Sequence, residues 1–428
     1  MKFVRSLAAG AALAAIAAGW SGAALAQETV TVWFTKGFYK GEDDALLAVV
    51  DKFQKATGVK VDLSLYATED CVTKSVGAVQ AGTPPDVGFC TTYDFRTTGQ
   101  WAFEGKLEDV TDVLEPIKAQ IQPQALATTF LMNDKTKKKA YYAFPVQQQM
   151  MHITYWKDML EEAGFKESDI PKGWDGYWDF WCDKVQGALR AKGKRIYAVG
   201  HPMGVAASDT FYSFLTFANA HNAKVVDENG KIVLDQPANK AAMVKAVKDY
   251  ANISQRGCTP PSSVNWLDPD NNVAFHNRTT VLTHNATISI AAKHLDDMNN
   301  PALTQEQRDQ AKKNYYDNIR TAEFPNKPDG SPMTNLAAVK TAVVFADGKN
   351  KKRGKEFMAF MMKDENLRPF VEGSVGRWFP TTVEAAKAEF WTGADPHRKI
   401  VYKQYTDGTT PFQFVYNYKF TTVNAENV

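Results

Sequence analysis

The side chains of this sequence that could do chemistry suit noncovalent binding better than catalysis. Aromatic residues stand beside hydroxyl and amide side chains at several predicted strand ends, as in Thr92-Tyr93 and at residues 147–149. Aromatic rings can stack on the apolar face of a sugar ring, and planar polar groups can hydrogen-bond to neighbouring hydroxyls. Asp94 and Asp209 are the only obvious acids near such segments, whereas glycoside hydrolysis needs two carboxylates at a defined separation across one bond.

Motifs of other chemistries are missing from the sequence. It contains no GxSxG, HExxH, phosphate-loop or dinucleotide fingerprint, and no CxxC or HxxxH spacing. We therefore predict a protein that is not an enzyme and that uses neither cofactor nor metal, with an exported carbohydrate-active enzyme as the competing class. The formal net charge is +2, which removal of Lys2 and Arg5 would bring to zero. This balance gives no electrostatic reason to expect nucleic acid or an anionic membrane as partner.

The elements that must position these side chains alternate between strand and helix. Val30, Val32 and Phe34 alternate as a strand, and apolar residues then recur at helical spacing from residue 42 until Gly58. Residues 59–65 alternate as a second strand, a second helical stretch follows, and residues 87–89 form an apolar third strand. This order indicates a parallel α/β sheet.

The first residues have the pattern of a secretory signal peptide. Lys2 and Arg5 precede a short apolar run at residues 7–18, and Ala24-Leu25-Ala26 fits a cleavage site. We predict a signal peptide at residues 1–26 and a mature chain from Gln27 in the periplasm. A buried alanine-rich helix or a membrane anchor is the alternative, but the apolar run is short for a membrane span.

Several short motifs occur along the chain in a definite order. They are VTVW at 30–33, AGTPPDV at 81–87, EGKL at 104–107, DVT at 109–111, YAFP at 142–145, TYWK at 154–157, WD at 174–175, FP at 324–325 and GRWFP at 376–380. These motifs resemble those of a known family, the extracellular solute-binding proteins of ABC importers, in the group that includes maltose- and oligosaccharide-binding proteins. Each motif is weak alone, but their order and spacing behind a signal peptide are typical of that family.

The resemblance implies an α/β, two-lobed periplasmic-binding-protein-like fold with a hinge and an interlobe ligand cleft. It implies an N-terminal lobe of residues 27–145 plus 321–365, and a C-terminal lobe of residues 146–320 plus 366–428. Its function would be to capture a carbohydrate (a sugar, oligosaccharide or polyol) by hinge closure. The expected partners are the carbohydrate and the transmembrane permease subunits of an ABC transporter, and we expect a monomer.

The four cysteines can be either disulfide-bonded or free. In an oxidising compartment paired cysteines persist, and four cysteines allow three connectivities that sequence alone does not distinguish. Pairing Cys71 with Cys90 and Cys182 with Cys258 is favoured, because each bridge would stay inside one lobe. Free buried cysteines, which behave as small hydrophobes, are the alternative.

Ligand contacts from the first lobe are expected in the loops after its strands. Trp33 could equally belong to the core. Gln149 falls where maltose-binding relatives carry an acidic sugar-contacting residue, so maltodextrin specificity does not transfer directly. The candidates of this wall are Trp33, Lys36, Tyr39, Thr92, Tyr93, Gln147 and Gln149.

Contacts from the second wall are expected at strand ends and in the motif at 376–380. Thr287 lies where relatives often bear an aromatic stacking residue, so Trp266 and Trp378 are candidates to replace it, with Arg377 as a hydrogen-bonding fork. A polyamine site should show several carboxylates; Lys36 and Arg377 argue against that ligand and leave a sugar acid open. The candidates are His201, Asp209, Trp266, Asn285, Arg377 and Trp378.

Overall fold

The computed structural model describes residues 27–205, 207–227 and 231–411. The predicted signal peptide at residues 1–26 lies outside the described residues. The strands, in chain order, are β1 (Thr29–Thr35), β2 (Lys60–Tyr66), β3 (Val87–Phe89), β4 (Phe130–Asn133), β5 (Lys138–Tyr141), β6 (Phe144–Met150), β7 (His152–Trp156), β8 (Tyr197–Gly200), β9 (Thr280–Asn285), β10 (Ile319–Ala322), β11 (Asn335–Val344), β12 (Phe379–Pro380) and β13 (Thr409–Pro411).

Helices connect most of these strands. Residues 174–191 run as one helix with a π-helical stretch, Phe180–Val185, between α8 and α9. The helices are α1 (Lys40–Thr57), α2 (Thr68–Gln80), α3 (Tyr93–Arg96), α4 (Thr98–Phe103), α5 (Thr111–Leu114), α6 (Pro123–Ala127), α7 (Lys157–Glu162), α8 (Trp174–Asp179), α9 (Gln186–Ala191), α10 (Ser208–Ala220), α11 (Pro237–Gln255), α12 (Asp270–His276), α13 (Ser289–Asn299), α14 (Gln305–Lys313), α15 (Lys351–Met361), α16 (Asp364–Glu372), α17 (Val383–Ala386), α18 (Glu389–Thr392) and α19 (Arg398–Thr406).

The predicted opening strand–helix–strand unit is confirmed. Val30, Val32 and Phe34 of β1 point into the core and are almost completely buried. Helix α1 ends at Gly58, whose φ of +72° is a left-handed conformation that glycine adopts without steric cost. Both β2 and β3 pair with β1 in parallel, as alternating strands and helices require.

Two separate sheets organise the chain. The larger has the order β12-β6-β11-β3-β1-β2, with β13 beside β11, and the smaller has the order β10-β7-β9-β8. The chain passes from the larger sheet to the smaller one at Met151, between β6 and β7, and returns between β10 and β11. Each sheet has its own apolar core, which gives the two-lobed α/β architecture that the motifs predicted.

The segment boundaries differ from those predicted. The boundary expected after Pro145 lies inside β6, because that strand continues in the larger sheet to Met150. Residues 366–428 were expected in the C-terminal lobe, but much of the described part of this segment packs with the larger sheet. There α16 buries Leu367 and Phe370 with the core of the larger sheet, and β12 pairs with β6. The same segment also contacts the other lobe, because His397 hydrogen-bonds with Thr321 of β10 and with the carbonyl of Tyr315.

Both disulfides have the favoured connectivity. Cys71 is bonded to Cys90 and Cys182 to Cys258, and all four side chains are buried. The first bond joins α2 to the segment that follows β3, beside the larger sheet. The second joins the π-helical stretch to the segment before Thr259, beside the smaller sheet.

The two disulfides should differ in their contribution to stability. The bond Cys71–Cys90 closes a separation of 19 residues, and Cys182–Cys258 closes one of 76. Because a cross-link removes more entropy from the unfolded chain when its loop is longer, each should contribute about 2–4 kcal/mol, with the larger share from Cys182–Cys258. Urea unfolding of the alanine double variants measures both losses. A larger loss for the Cys71/Cys90 variant would contradict this ranking.

Candidate ligand-binding site

A cavity of about 410 Å³ lies between the two sheets. One wall comes from the larger-sheet side, where residues 36–38, 67–70 and 91–92 follow or flank its strands, together with Arg377 and Trp378. The other comes from the smaller-sheet side, at residues 208–209, 267–269 and 285–287. Loops from several elements therefore converge on one enclosed volume, as in most small-molecule sites.

Many of the predicted contact residues meet in this cavity. They come from the β1–α1 loop, the segment after β3, strand β6, the start of α10, the end of β9 and the turn before β12. These residues are Lys36, Thr92, Gln149, Asp209, Asn285, Arg377 and Trp378.

Three first-wall candidates lie elsewhere. Trp33 projects from the opposite face of β1 to Val32 and packs edge-on against Tyr66, with ring centroids 5.4 Å apart. Tyr93 begins α3 and points into the core, where its hydroxyl donates to Ser75. Tyr39 lies at the cavity edge, and its hydroxyl donates to the carbonyl of Ser289 on the opposite wall. Tyr39 thus links the walls.

The other displaced candidates are Gln147, His201 and Trp266. Gln147 is buried on β6 beside a small separate void behind Trp378. Trp266 is buried, and its indole N–H donates to Ser262 at 3.2 Å, so its neighbours at 267–269 face the cavity instead. His201 lies fully buried beneath the second wall. The structure thus places Trp33, Tyr93, Gln147, His201 and Trp266 outside the lining of this cavity, and their direct contact with a ligand stays a prediction.

Arg377 and Trp378 are held by a tight turn. Gly376 has φ of +93°, and a Cβ there would approach Arg398 to 3.0 Å, so glycine fits this position best. The Arg377 guanidinium carbon lies 3.5 Å from the centroid of the Phe38 ring and 4.7 Å from that of Trp378. It also forms an ion pair with Glu42 at 3.1 Å. This cation stacked between rings fixes an aromatic platform at the cavity.

Lys340 is a cavity residue that the sequence analysis missed. Its ammonium contacts Asp94 at 3.1 Å and the hydroxyl of Tyr212 at 3.0 Å, and both side chains of the ion pair are almost fully buried. Burial lowers the pKa of Lys340 and raises that of Asp94, while each charge opposes the shift of the other. The available signal was a single lysine inside the apolar run of β11, where an unpaired charge would be costly.

Asp268 is the second missed residue. It accepts hydrogen bonds from Ser208 Oγ at 2.7 Å and from the backbone N–H of Asp209 at 3.0 Å, at the start of α10. Burial and the nearby Asp268 carboxylate raise the pKa of Asp209 well above its usual value. Because burial favours the neutral form of Asp209, its carboxyl group can both donate and accept a hydrogen bond from a ligand.

The cavity lining contains more acidic side chains than the sequence analysis indicated. Arg377 is paired with Glu42 and Lys340 with Asp94, so these two cations are already neutralised. Arg377 is therefore a weaker argument against a polyamine ligand than the sequence analysis assumed, whereas Lys36 remains in the lining. The charged lining residues are Glu69, Asp70, Asp209, Asp268, Lys36, Lys340 and Arg377.

Two buried polar atoms of the described lining residues make no hydrogen bond. Within the described part of the chain, Thr92 Oγ1 and Arg377 Nε are buried without a hydrogen-bond partner. An unsatisfied buried polar group costs about 1–3 kcal/mol. Both atoms belong to side chains of residues that line the cavity.

A chain of neutral histidines supports the second wall. His201 Nε2 donates to the carbonyl of Tyr250 at 3.1 Å, so its Nδ1 accepts from His284 Nε2 at 2.7 Å, and His284 Nδ1 pairs with the Ser213 hydroxyl. Burial lowers the pKa of His201 to about 3 and that of His284 well below its usual value. Both rings are therefore neutral at neutral pH and serve the packing of the wall.

Buried histidines should make stability depend on pH. His152 resembles His201, since burial lowers its pKa to about 4. An unfolded histidine titrates near about 6.5, so the unfolded chain binds protons first, and stability present above that pH is lost as the pH falls toward 4. Each such histidine adds a slope of up to about 1.4 kcal/mol per pH unit. Urea unfolding across this range measures the slope, which the variant His152→Gln should reduce. Unfolding free energy that is constant across this range would contradict the prediction.

Contacts across the cavity join its walls. Tyr212 on α10 donates to Asp94 on α3 at 2.8 Å, and the rings of Phe95 and Phe211 stack at 5.1 Å. Together with the Tyr39–Ser289 bond, these contacts define a closed arrangement.

Among the described residues no helix is long and apolar enough to cross a membrane, and no cluster of His, Cys, Asp and Glu suits a metal ion.

Two α/β lobes that enclose a cavity between them define the class of two-lobed solute-binding proteins. The chain belongs to the family of bacterial extracellular solute-binding proteins, whose profile matches residues 48–400. A search of curated protein sequences finds no match.

Solved structures share the fold at low sequence identity. An ABC transporter solute-binding protein from Thermotoga lettingae, bound with alpha-D-tagatose, is 20% identical with a TM-score of 0.70, covering 90% of this chain and 89% of that chain. The GacH receptor of Streptomyces glaucescens, solved unliganded and with acarbose, is 17% identical with a TM-score of 0.69, covering 92% and 89%. A sugar transporter from Arthrobacter chlorophenolicus with bound laminaribiose is 15% identical with a TM-score of 0.68, covering 90% and 87%.

Proposed function

We propose that this protein captures a carbohydrate in the cavity between its lobes and delivers it to the transmembrane permease of an ABC transporter. The observation that carries the proposal is the lining of the cavity, where the Trp378 platform lies among amide, hydroxyl and carboxyl groups from both walls. Apolar ring faces and rows of hydroxyls match such a lining. The solved relatives named above hold tagatose, acarbose and laminaribiose.

The charge of the lining argues against an anionic carbohydrate. Asp209 and Asp268 face the cavity, and the nearest cations, Arg377 and Lys340, already have carboxylate partners. An anionic sugar would meet these acids without a free cation except Lys36 among the described lining residues. A neutral sugar can instead donate its hydroxyls to the carboxyl groups.

Capture works through hinge closure. We place the hinge at Met151 and between β10 and β11, where the chain passes between the sheets. One lobe is then residues 27–150 and 335–411, and the other is residues 152–322. A ligand with micromolar affinity supplies about 8 kcal/mol. Only the part of this energy that is stronger in the closed form can shift the lobes toward closure.

The remaining parts of the proposal follow from the predicted leader. A secretory signal would place the mature chain in the periplasm, where it meets the permease as a monomer.

An exported glycoside hydrolase is the less supported alternative, because Asp268 is occupied by hydrogen bonds from Ser208 and Asp209 at a helix start. A polyamine is the second alternative ligand. The acidic side chains of the lining support it, whereas the sequence analysis argued against it.

A thermal-shift screen tests the proposal. Purified protein is heated with neutral mono- and oligosaccharides, polyols, sugar acids, amino sugars and polyamines, because a ligand that binds only the folded state raises Tm. We expect the largest shift from a neutral carbohydrate, recovered unchanged after incubation. Shifts only with amines would replace the ligand class, and a cleaved product would replace the function.

A further inference from the structure

The disulfide Cys71–Cys90 lies directly behind the cavity wall. Cys71 follows Glu69 and Asp70 in the first turn of α2, and Cys90 precedes Thr91 and Thr92. All four of these neighbours line the cavity. The bond therefore joins two separate wall segments at the residues next to those that face the ligand space.

Other restraints on the start of α2 are weak. The residue before the helix, Ala67, gives no side-chain cap. Ala67, Glu69 and Asp70 are exposed. Glu69 forms an ion pair with Arg96 at 2.8 Å, but both side chains are partly exposed, and such surface pairs contribute little. The segment after β3 is better anchored, because Cys90 and Tyr93 lie in the core and the Thr91 N–H donates to Thr35 at 3.1 Å. The Tyr93 hydroxyl also donates to Ser75, one turn after Cys71 in α2. The disulfide therefore adds a covalent link at the first turn of a helix whose next turn is already hydrogen-bonded to this segment.

The second disulfide has a different setting. Cys182 lies in the π-helical stretch, and Cys258 precedes Thr259, whose hydroxyl accepts from the N–H of His201. Among the described residues, neither cysteine nor its sequence neighbours belong to the cavity lining. This bond supports the lobe of the smaller sheet without bordering the site, which makes it a matched control.

We propose that Cys71 and Cys90 are positioning residues for ligand binding, because their bond fixes the first turn of α2 relative to Thr91 and Thr92. Removing the bond lets this part of the wall move in the free protein, so binding must order it again. The role of the bond at the cavity rests on the proposed function, whereas its effect on the start of α2 does not.

The first test needs no ligand. Amide hydrogen-exchange protection is compared at residues 71–74, whose N–H groups bond to the carbonyls of the first turn of α2, in the folded wild-type protein and in two variants, Cys71→Ala/Cys90→Ala and Cys182→Ala/Cys258→Ala. We expect faster exchange there only in the first variant, by about tenfold, because the tethered turn opens locally. Cys71→Val/Cys90→Ala, which fills more of the vacated space, serves if the alanine pair folds poorly. Unchanged exchange at 71–74 would overturn the proposal.

The second test measures affinity by calorimetry with the carbohydrate that gives the largest thermal shift in the wild-type protein. We expect Kd to rise about tenfold in the Cys71/Cys90 variant and less than about twofold in the Cys182/Cys258 variant, since only the first loses preorganisation of the wall. The ranking for affinity is then opposite to the ranking for stability. Equal affinities in both variants would overturn the positioning role. A wild-type protein that binds no carbohydrate would refute the proposed function, and the exchange result would still decide the tether.

Discussion

Replacing Trp378 with alanine is expected to weaken carbohydrate binding by at least about 100-fold, because a buried aromatic platform is the type of residue that dominates binding energy. Trp378 lines the cavity, is 3% exposed and stacks beside Arg377. Its removal takes away the apolar face of the site and one of the two rings that stack on the Arg377 guanidinium. Calorimetry with the carbohydrate found by the thermal-shift screen measures the loss.

Trp378 also belongs to the core of the larger sheet, so the alanine variant should lose stability as well. Trp378→Phe reduces this cost, and Trp391→Phe is its matched control, because Trp391 is fully buried in the same core. We expect weaker binding from the first of these variants and unchanged binding from the second. Equal affinity of Trp378→Phe, Trp391→Phe and the wild type would remove Trp378 from the site.

Replacing Lys340 with methionine is expected to lower the free energy of unfolding by about 3–5 kcal/mol, because it leaves Asp94 buried without its cation. The pair is buried to 2% and 0% side-chain exposure, and Tyr212 from the opposite wall contacts both groups. Since Lys340 and Tyr212 come from different lobes, the same variant should also favour the open form. Urea unfolding measures the stability change.

A double-mutant cycle measures how much of the lost unfolding free energy comes from the interaction between Lys340 and Asp94. Replacing both Lys340 and Asp94 with apolar residues should cost less than the sum of the single losses, because neither charge is then left alone. The control is the exposed pair Lys40–Asp44, where Lys40→Met should change stability little. Additive losses at Lys340 and Asp94 would show that the two charges do not depend on each other.

Local patterns predicted the elements better than the contacts between them. The period of apolar residues located β1, α1 and β2, because one face of each must be buried. On α11 the pattern is less exact: the helical spacing of Met243, Val247 and Tyr250 indicates one buried stripe, yet Val247 is 48% exposed and Ala246 is buried. A small side chain such as that of Ala246 can lie where two helices pack closely, and the spacing of the larger apolar residues does not reveal such a position.

The cavity shows where sequence reasoning stops. Thr92 and Tyr93 are neighbours, but α3 begins at Tyr93 and turns its ring into the core, so only Thr92 lines the cavity. Lys340 and Asp94 are separated by 246 residues, and only the tertiary structure brings them together. Much of the described part of the C-terminal segment joined the other lobe for the same reason, since pairing of β12 with β6 is a long-range contact.

The most direct measurement of the whole account is small-angle X-ray scattering of the purified protein with and without the carbohydrate that stabilises it. Two lobes that close on a ligand predict a smaller radius of gyration when sugar is bound, with a curve that matches the closed arrangement described above. A scattering curve that stays the same at saturating sugar and fits a single undivided body would contradict it.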